Sequence, residues 1–287
     1  MAKKSSGFRE SLRALKNEIV RKYFEYRIQT PHDPYSVLFR PQPYRILFIL
    51  SHMRSGSSLL THILSSNPEI MGYGETHLQY ASEADFKKLM LKVCLRSQES
   101  RGFEVFERLN MNSRYILDKV LHNNKFINTE FIKSENLYFI FLIREPQRSL
   151  ASICELKQNW NSEQALRYYA GRLDYLQQYA RIINGKKRSL FITYEQLLNQ
   201  SNLVFEGLQK LLNTQNPFSE EYQILKTTGM KSVGDSKGNI KAGRIVREKR
   251  KIAVDIEPEL ADLGIQSFEQ CSQTLSKYCQ TISTYKI

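Results

Sequence analysis

The sequence predicts an α/β fold, a three-layer sandwich whose central parallel sheet has about five strands. Three observations carry this. Short β-branched and aromatic runs, such as Ile46 to Leu50, alternate with longer segments whose apolar residues recur every three or four positions. The run Leu137 to Ile143 is continuously apolar, as in a parallel strand covered on both faces. Finally, Arg54, Glu75, Lys119 and Arg144 each stand just past a predicted strand end, where ligands gather in such sheets.

Taken in order, residues 8–27 read as a basic amphipathic helix, with Phe8, Leu12, Leu15, Ile19, Tyr23 and Tyr26 on one face. Such a helix either packs on its own domain or docks to an anionic membrane or a lipid-linked acceptor. Pro31, Pro34, Pro41 and Pro43 make a linker, so 1–43 is expected to be an N-terminal helix and linker, and 44–287 a single domain. Ile46–Leu50 is the first strand; Leu59, Leu60, Ile63 and Leu64 follow at helical spacing. Glu69 to Tyr73 reads as a second strand and 82–109 as helical, with a break around Gln98 to Gly102. Arg114–Asp118 is a third strand and Leu137–Ile143 a fourth, followed by a helix that Pro146 suits at its first turn. A longer helix runs from about Ser162, Ser189–Thr193 is the fifth strand, and helices are expected at 195–212 and 266–283.

Composition excludes several classes. Hydrophobic residues make up 41% of the 287 and aromatics 11%, enough for a packed core rather than disorder. No apolar run approaches the ~20 residues of a membrane span, and Met1 to Ser6 lacks the apolar core of a secretory signal, so a cytoplasmic location is expected. Cys94, Cys154, Cys271 and Cys279 show no metal-binding spacing; no metal is expected, and the thiols read as reduced and buried. The net charge of +13 is concentrated: residues 1–30 hold eight Lys/Arg against three Glu, and residues 231–251 eight against two acids. Such clusters suit a polyanionic ligand, an anionic membrane or nucleic acid.

The stretch 44–77 carries the chemistry. A strand, the turn Arg54-Ser55-Gly56-Ser57-Ser58 and a helix put free N–H groups and a positive helix end where an anion can sit. Against the Walker A pattern only Gly56 and Ser58 match; Ser57 stands where the lysine would, and Arg54 brings the charge instead. The loop resembles the 5′-phosphosulfate loop of sulfotransferases that use 3′-phosphoadenosine 5′-phosphosulfate (PAPS). With Asn67-Pro68 and Glu75 it is similar to the carbohydrate and tyrosylprotein branches and their bacterial relatives.

That resemblance implies a P-loop-like α/β enzyme moving a sulfuryl group from PAPS to a hydroxyl of a carbohydrate, lipid or small metabolite and releasing 3′,5′-phosphoadenosine (PAP). It implies that Arg54 and Ser55 to Ser58 hold the 5′ end, that Arg144 with Ser152 binds the 3′-phosphate, and that Glu75 is the base, with His77 the other candidate. Lys119 resembles a lysine that meets the transferring group, and Tyr194 one that orders the nucleotide, though packing alone also explains a tyrosine there. The stretch 234–244, with Ser236 and Lys237, resembles a late loop that closes over PAPS. Two other readings stay open. One is a P-loop small-molecule kinase; the other is a basic adaptor for nucleic acid or membrane, although no RRM, zinc-finger or helix-turn-helix signature is evident.

Overall fold

The computed structural model describes residues 2–101, 109, 111–225, 239–248 and 254–282. Its helices are α1 (Ala2–Gln29), α2 (Ser57–Ser66), α3 (Asp85–Arg101), α4 (Pro146–Leu156), α5 (Ser162–Ile183), α6 (Tyr194–Asn199), α7 (Ser201–Leu212) and α8 (Pro258–Tyr278). The strands are β1 (Arg45–Ser51), β2 (Ile70–Met71), β3 (Tyr115–Val120), β4 (Leu137–Ile143), β5 (Ser189–Thr193) and β6 (Gln280–Thr281). They form one sheet in the order β2-β3-β1-β4-β5-β6, every pairing parallel.

The side-chain alternation of the central strands builds two cores. Ile46, Phe48 and Leu50 of β1 join Phe24 and Ile28 of α1, Phe86 and Leu89 of α3 and Leu173 of α5. Leu47 and Ile49 point the other way, onto Leu60 and Ile63 of α2 and Val204 and Leu208 of α7. Helices therefore cover both faces, which is why β1 and β4 are apolar almost throughout.

Several boundaries differ from expectation. The sheet has six strands rather than five, because Gln280 and Thr281 leave the expected 266–283 helix and pair with Leu190 and Phe191. That helix instead begins at Pro258, whose fixed φ suits a first turn. The second strand shrinks to Ile70–Met71. The expected 195–212 helix is divided at Gln200, and α3 continues through the predicted break as far as Arg101. Residues 102–108 of the expected 82–109 helix lie outside the described residues. On α1, Leu15, Ile19 and Tyr26 of the predicted face are 55–60% exposed, while Tyr23 of that face packs on the core beside the fully buried Phe24 and Ile28, so the buried stripe is rotated from the one predicted. Among the described residues no helix is long and apolar enough to cross a membrane, and all four cysteines are free and buried.

Candidate active site

β1 ends at Ser51, whose hydroxyl donates to Leu142 O of β4 at 2.6 Å and also meets Ser55 Oγ. The chain then turns through Arg54 (φ 65°) and Gly56 (φ 89°) before α2 starts at Ser57. Two left-handed residues flanking Ser55 curl the backbone into a concavity of N–H groups at a helix N-terminus, an arrangement that receives anions. Gly56 is needed twice over: its φ is strained for other residues, and an added Cβ would lie 2.2 Å from Tyr194 Cδ2.

The arginines of two strand ends meet here. Arg54 Nε donates to Ser152 Oγ of α4 at 2.7 Å, and Arg144 Nη1, beyond β4, donates to Arg54 O at 3.2 Å. Arg144 stacks on Tyr194 with its guanidinium carbon 4.4 Å from the ring centroid. Its Nε is buried with no hydrogen-bond partner among the described residues, and burial pushes the guanidinium pKa down. A buried cation with an unused donor is costly unless a ligand supplies the acceptor. Ser152 bonds Arg54 rather than Arg144, so the expected Arg144–Ser152 pair is a three-membered group that includes Arg54.

Lys119, expected just past a third strand ending at Asp118, instead lies within β3, one residue from its end, because the strand runs on to Val120 in register with β1. Only 4% exposed, it donates from Nζ to Ser58 Oγ at 3.3 Å. Burial lowers its pKa, and the charges of Glu75 and Asp118 work against that shift. Glu75 is 10% exposed; its Oε1 lies 3.3 Å from Nδ1 of His77, which is 57% exposed, too poorly aligned for a hydrogen bond. Tyr194, Arg144, Arg54, Ser152, Ser58, Lys119 and Glu75 thus line one region at the carboxyl end of the sheet, with His77 at its outer edge. Ser236 and Lys237 lie outside the described residues.

The groups that hold these side chains carry no local sequence signal. His52, fully buried, accepts Arg144 N–H on Nε2 at 3.1 Å, so its proton sits on Nδ1 and donates to Met53 O at 2.8 Å. Burial pushes its pKa down to about 3. Arg172 of α5, also fully buried, donates to Ser51 O and Val120 O, both at 2.8 Å, and to Asn123 Oδ1 at 2.9 Å, tying together the ends of β1 and β3. Asp118 anchors the loop that carries Glu75. Its carboxylate accepts Thr76 N–H (2.9 Å), Thr76 O–H (2.7 Å), Tyr80 O–H (2.5 Å) and Lys119 N–H (2.8 Å). Lys92 Nζ adds a bond to Thr76 O at 2.6 Å. Apart from His52–Met53 and Asp118–Lys119, these are pairs distant in sequence, joined only once the sheet forms; a polar residue inside a predicted strand, as Asp118 is, was the one available hint.

A model of the sulfotransferase family matches residues 47–217, the span holding every one of these groups. Among solved structures, the chain is similar to the sulfotransferase domain of the Synechococcus PCC 7002 olefin synthase (TM-score 0.54, 19% identity), covering 83% of this chain and 96% of that one. It is also similar to the sulfotransferase domain from the curacin biosynthetic pathway (TM-score 0.51, 17% identity), covering 79% of this chain and 98% of that one. The comparison with curated proteins gives no match.

Proposed function

The chain belongs to the sulfotransferase family, and from that premise we propose that it uses PAPS to sulfate an acceptor hydroxyl, with Glu75 as general base. The observation that carries the reading is the contact between Arg144 and the Arg54 turn at the carboxyl end of the sheet, with a buried Arg144 Nε that lacks a partner among the described residues. When bound, PAPS supplies the sulfuryl group and departs as PAP. The N–H groups of residues 55–58 and the Arg54 guanidinium suit its 5′-phosphosulfate. Arg144 suits the 3′-phosphate, with Ser152 fixing the orientation of Arg54, and Tyr194 fills the space beside Gly56 and orders Arg144. Glu75 takes the acceptor's proton as the acceptor oxygen becomes bonded to sulfur. Lys119 and Ser58 stand beside it to balance the charge that develops. His77 is the weaker candidate for the base because it is mostly exposed.

The test is thermal melting of the full chain with PAP and, separately, with ATP·Mg²⁺. PAP at 100 times its dissociation constant is expected to add about 2.7 kcal/mol of stability. Stabilisation by ATP·Mg²⁺ alone would favour a kinase, a reading that Ser57 in the Walker lysine position opposes.

A further inference from the structure

We propose that the rings of Trp160, Tyr168 and His122 form one wall of the acceptor site, and that the acceptor is a hydroxylated ring compound carrying a negative charge. The proposal rests on the sulfotransferase reading above and adds the chemistry of the acceptor.

Tyr168 lies between the phosphosulfate-type loop and the end of β3. Its hydroxyl accepts Met53 N–H and donates to Leu121 O, both at 3.0 Å. With the hydroxyl committed, what Tyr168 offers a ligand is its ring. That ring stands 5.8 Å, centroid to centroid, from Trp160 in the α4–α5 connection, and 6.2 Å from His122, which follows Leu121. The three rings form a continuous strip, and each is only half-buried. The strip's inner end is close to the chemistry. His122 lies three residues beyond Lys119, and Lys125 Nζ donates to His77 O at 3.2 Å, which ties this segment to the Glu75 loop. The Glu75 carboxylate acts electrostatically on both His122 and Tyr168.

A strip of half-buried rings leading to a general base suits a planar or ring-shaped acceptor, because ring faces and edges give both contact area and orientation. Away from Glu75, the charges beside the strip are positive. Lys157 Nζ sits 5.7 Å from the Trp160 ring centroid. Burial lowers the pKa of His122; the Glu75 carboxylate raises it, and Arg172, Lys125 and Lys157 lower it. With the Glu75 carboxylate at the inner end of the strip and the lysines at its rim, an anionic group is drawn to the outer end and kept from the inner one.

Trp160 is the chain's one tryptophan, so its emission reports directly on this wall without requiring turnover. The full chain, saturated with PAP, is titrated with three probes. They are 4-hydroxyphenylacetate (ring, hydroxyl and charge), 2-(4-hydroxyphenyl)ethanol (no charge) and 6-hydroxyhexanoate (no ring). The expected result is a saturable change with the first and affinities at least about tenfold weaker for the other two. His122→Ala should weaken the first probe by a similar factor, and Lys157→Gln should narrow the gap between the first and second, both with unchanged PAP affinity. Equal affinity for all three probes, or no emission change with PAP bound normally, would overturn the aromatic, anionic acceptor and leave the donor reading intact. Failure to bind PAP at all would overturn the donor reading and this proposal together.

Discussion

Glu75 and Asp118 separate two kinds of contribution at the level of single residues. Glu75→Gln keeps the size of the side chain but removes proton acceptance. Turnover should fall by about 10²- to 10⁴-fold, the range of general-base catalysis, with PAP affinity within about twofold of the parent. Retention of full activity would move the role to His77, 3.3 Å away. Asp118 touches no reacting atom in this account; it is a positioning residue acting through Thr76. Asp118→Asn leaves donors facing a neutral amide, and the chain should lose about 1–3 kcal/mol of stability. Because the Glu75 loop also loosens, kcat should drop by at least about tenfold at temperatures where the variant is fully folded, with PAP affinity unchanged. Loss of stability without loss of kcat would mark Asp118 as purely structural.

At the scale of elements, the β1–turn–α2 unit was legible because its signals are local. An apolar strand, a glycine-containing turn and a helical repeat follow one another within 44–66; the structure reproduces them and adds that Gly56 takes a positive φ. β4 was legible to the residue for the same reason. β6 was not, since a two-residue edge strand has no periodicity and exists only through its pairing with β5. His52 and Arg172 were equally silent: each works by joining elements far apart in sequence, the former β1 to Arg144 and the latter β1 to β3. His52 makes a measurable difference. Its folded pKa, near 3, lies below the ordinary 6.5, so between those values the unfolded chain binds a proton that the folded one refuses. The contribution to stability is full above pH 6.5 and is lost as pH falls toward 3, by up to about 1.4 kcal/mol per pH unit. His52→Gln should flatten that part of the melting-temperature profile; an unchanged slope would place the acid sensitivity elsewhere. Gly56→Ala, which meets the Tyr194 ring as well as backbone strain, should weaken PAP binding by at least about tenfold.

For the molecule as a whole, six parallel strands among the described residues deliver side chains from β1, β3 and β4 to the carboxyl end of the sheet, and helices on both faces leave that end as the place for a ligand. Fold class and the strand-end residues could be read from the sequence because strand ends mark where a parallel sheet opens. The acceptor side could not, because its wall draws on the α4–α5 connection and the end of β3, which nothing local relates. The central claim is that Arg54 and Arg144 together grip a 3′-phosphorylated adenine nucleotide. Calorimetric titration of PAP and of adenosine 5′-monophosphate into the parent and into Arg144→Met tests it most directly. The account predicts that the parent prefers PAP by at least about tenfold and that Arg144→Met erases the preference while melting as a folded protein. Equal affinity of the parent for the two nucleotides, or a preference that survives Arg144→Met, would contradict it.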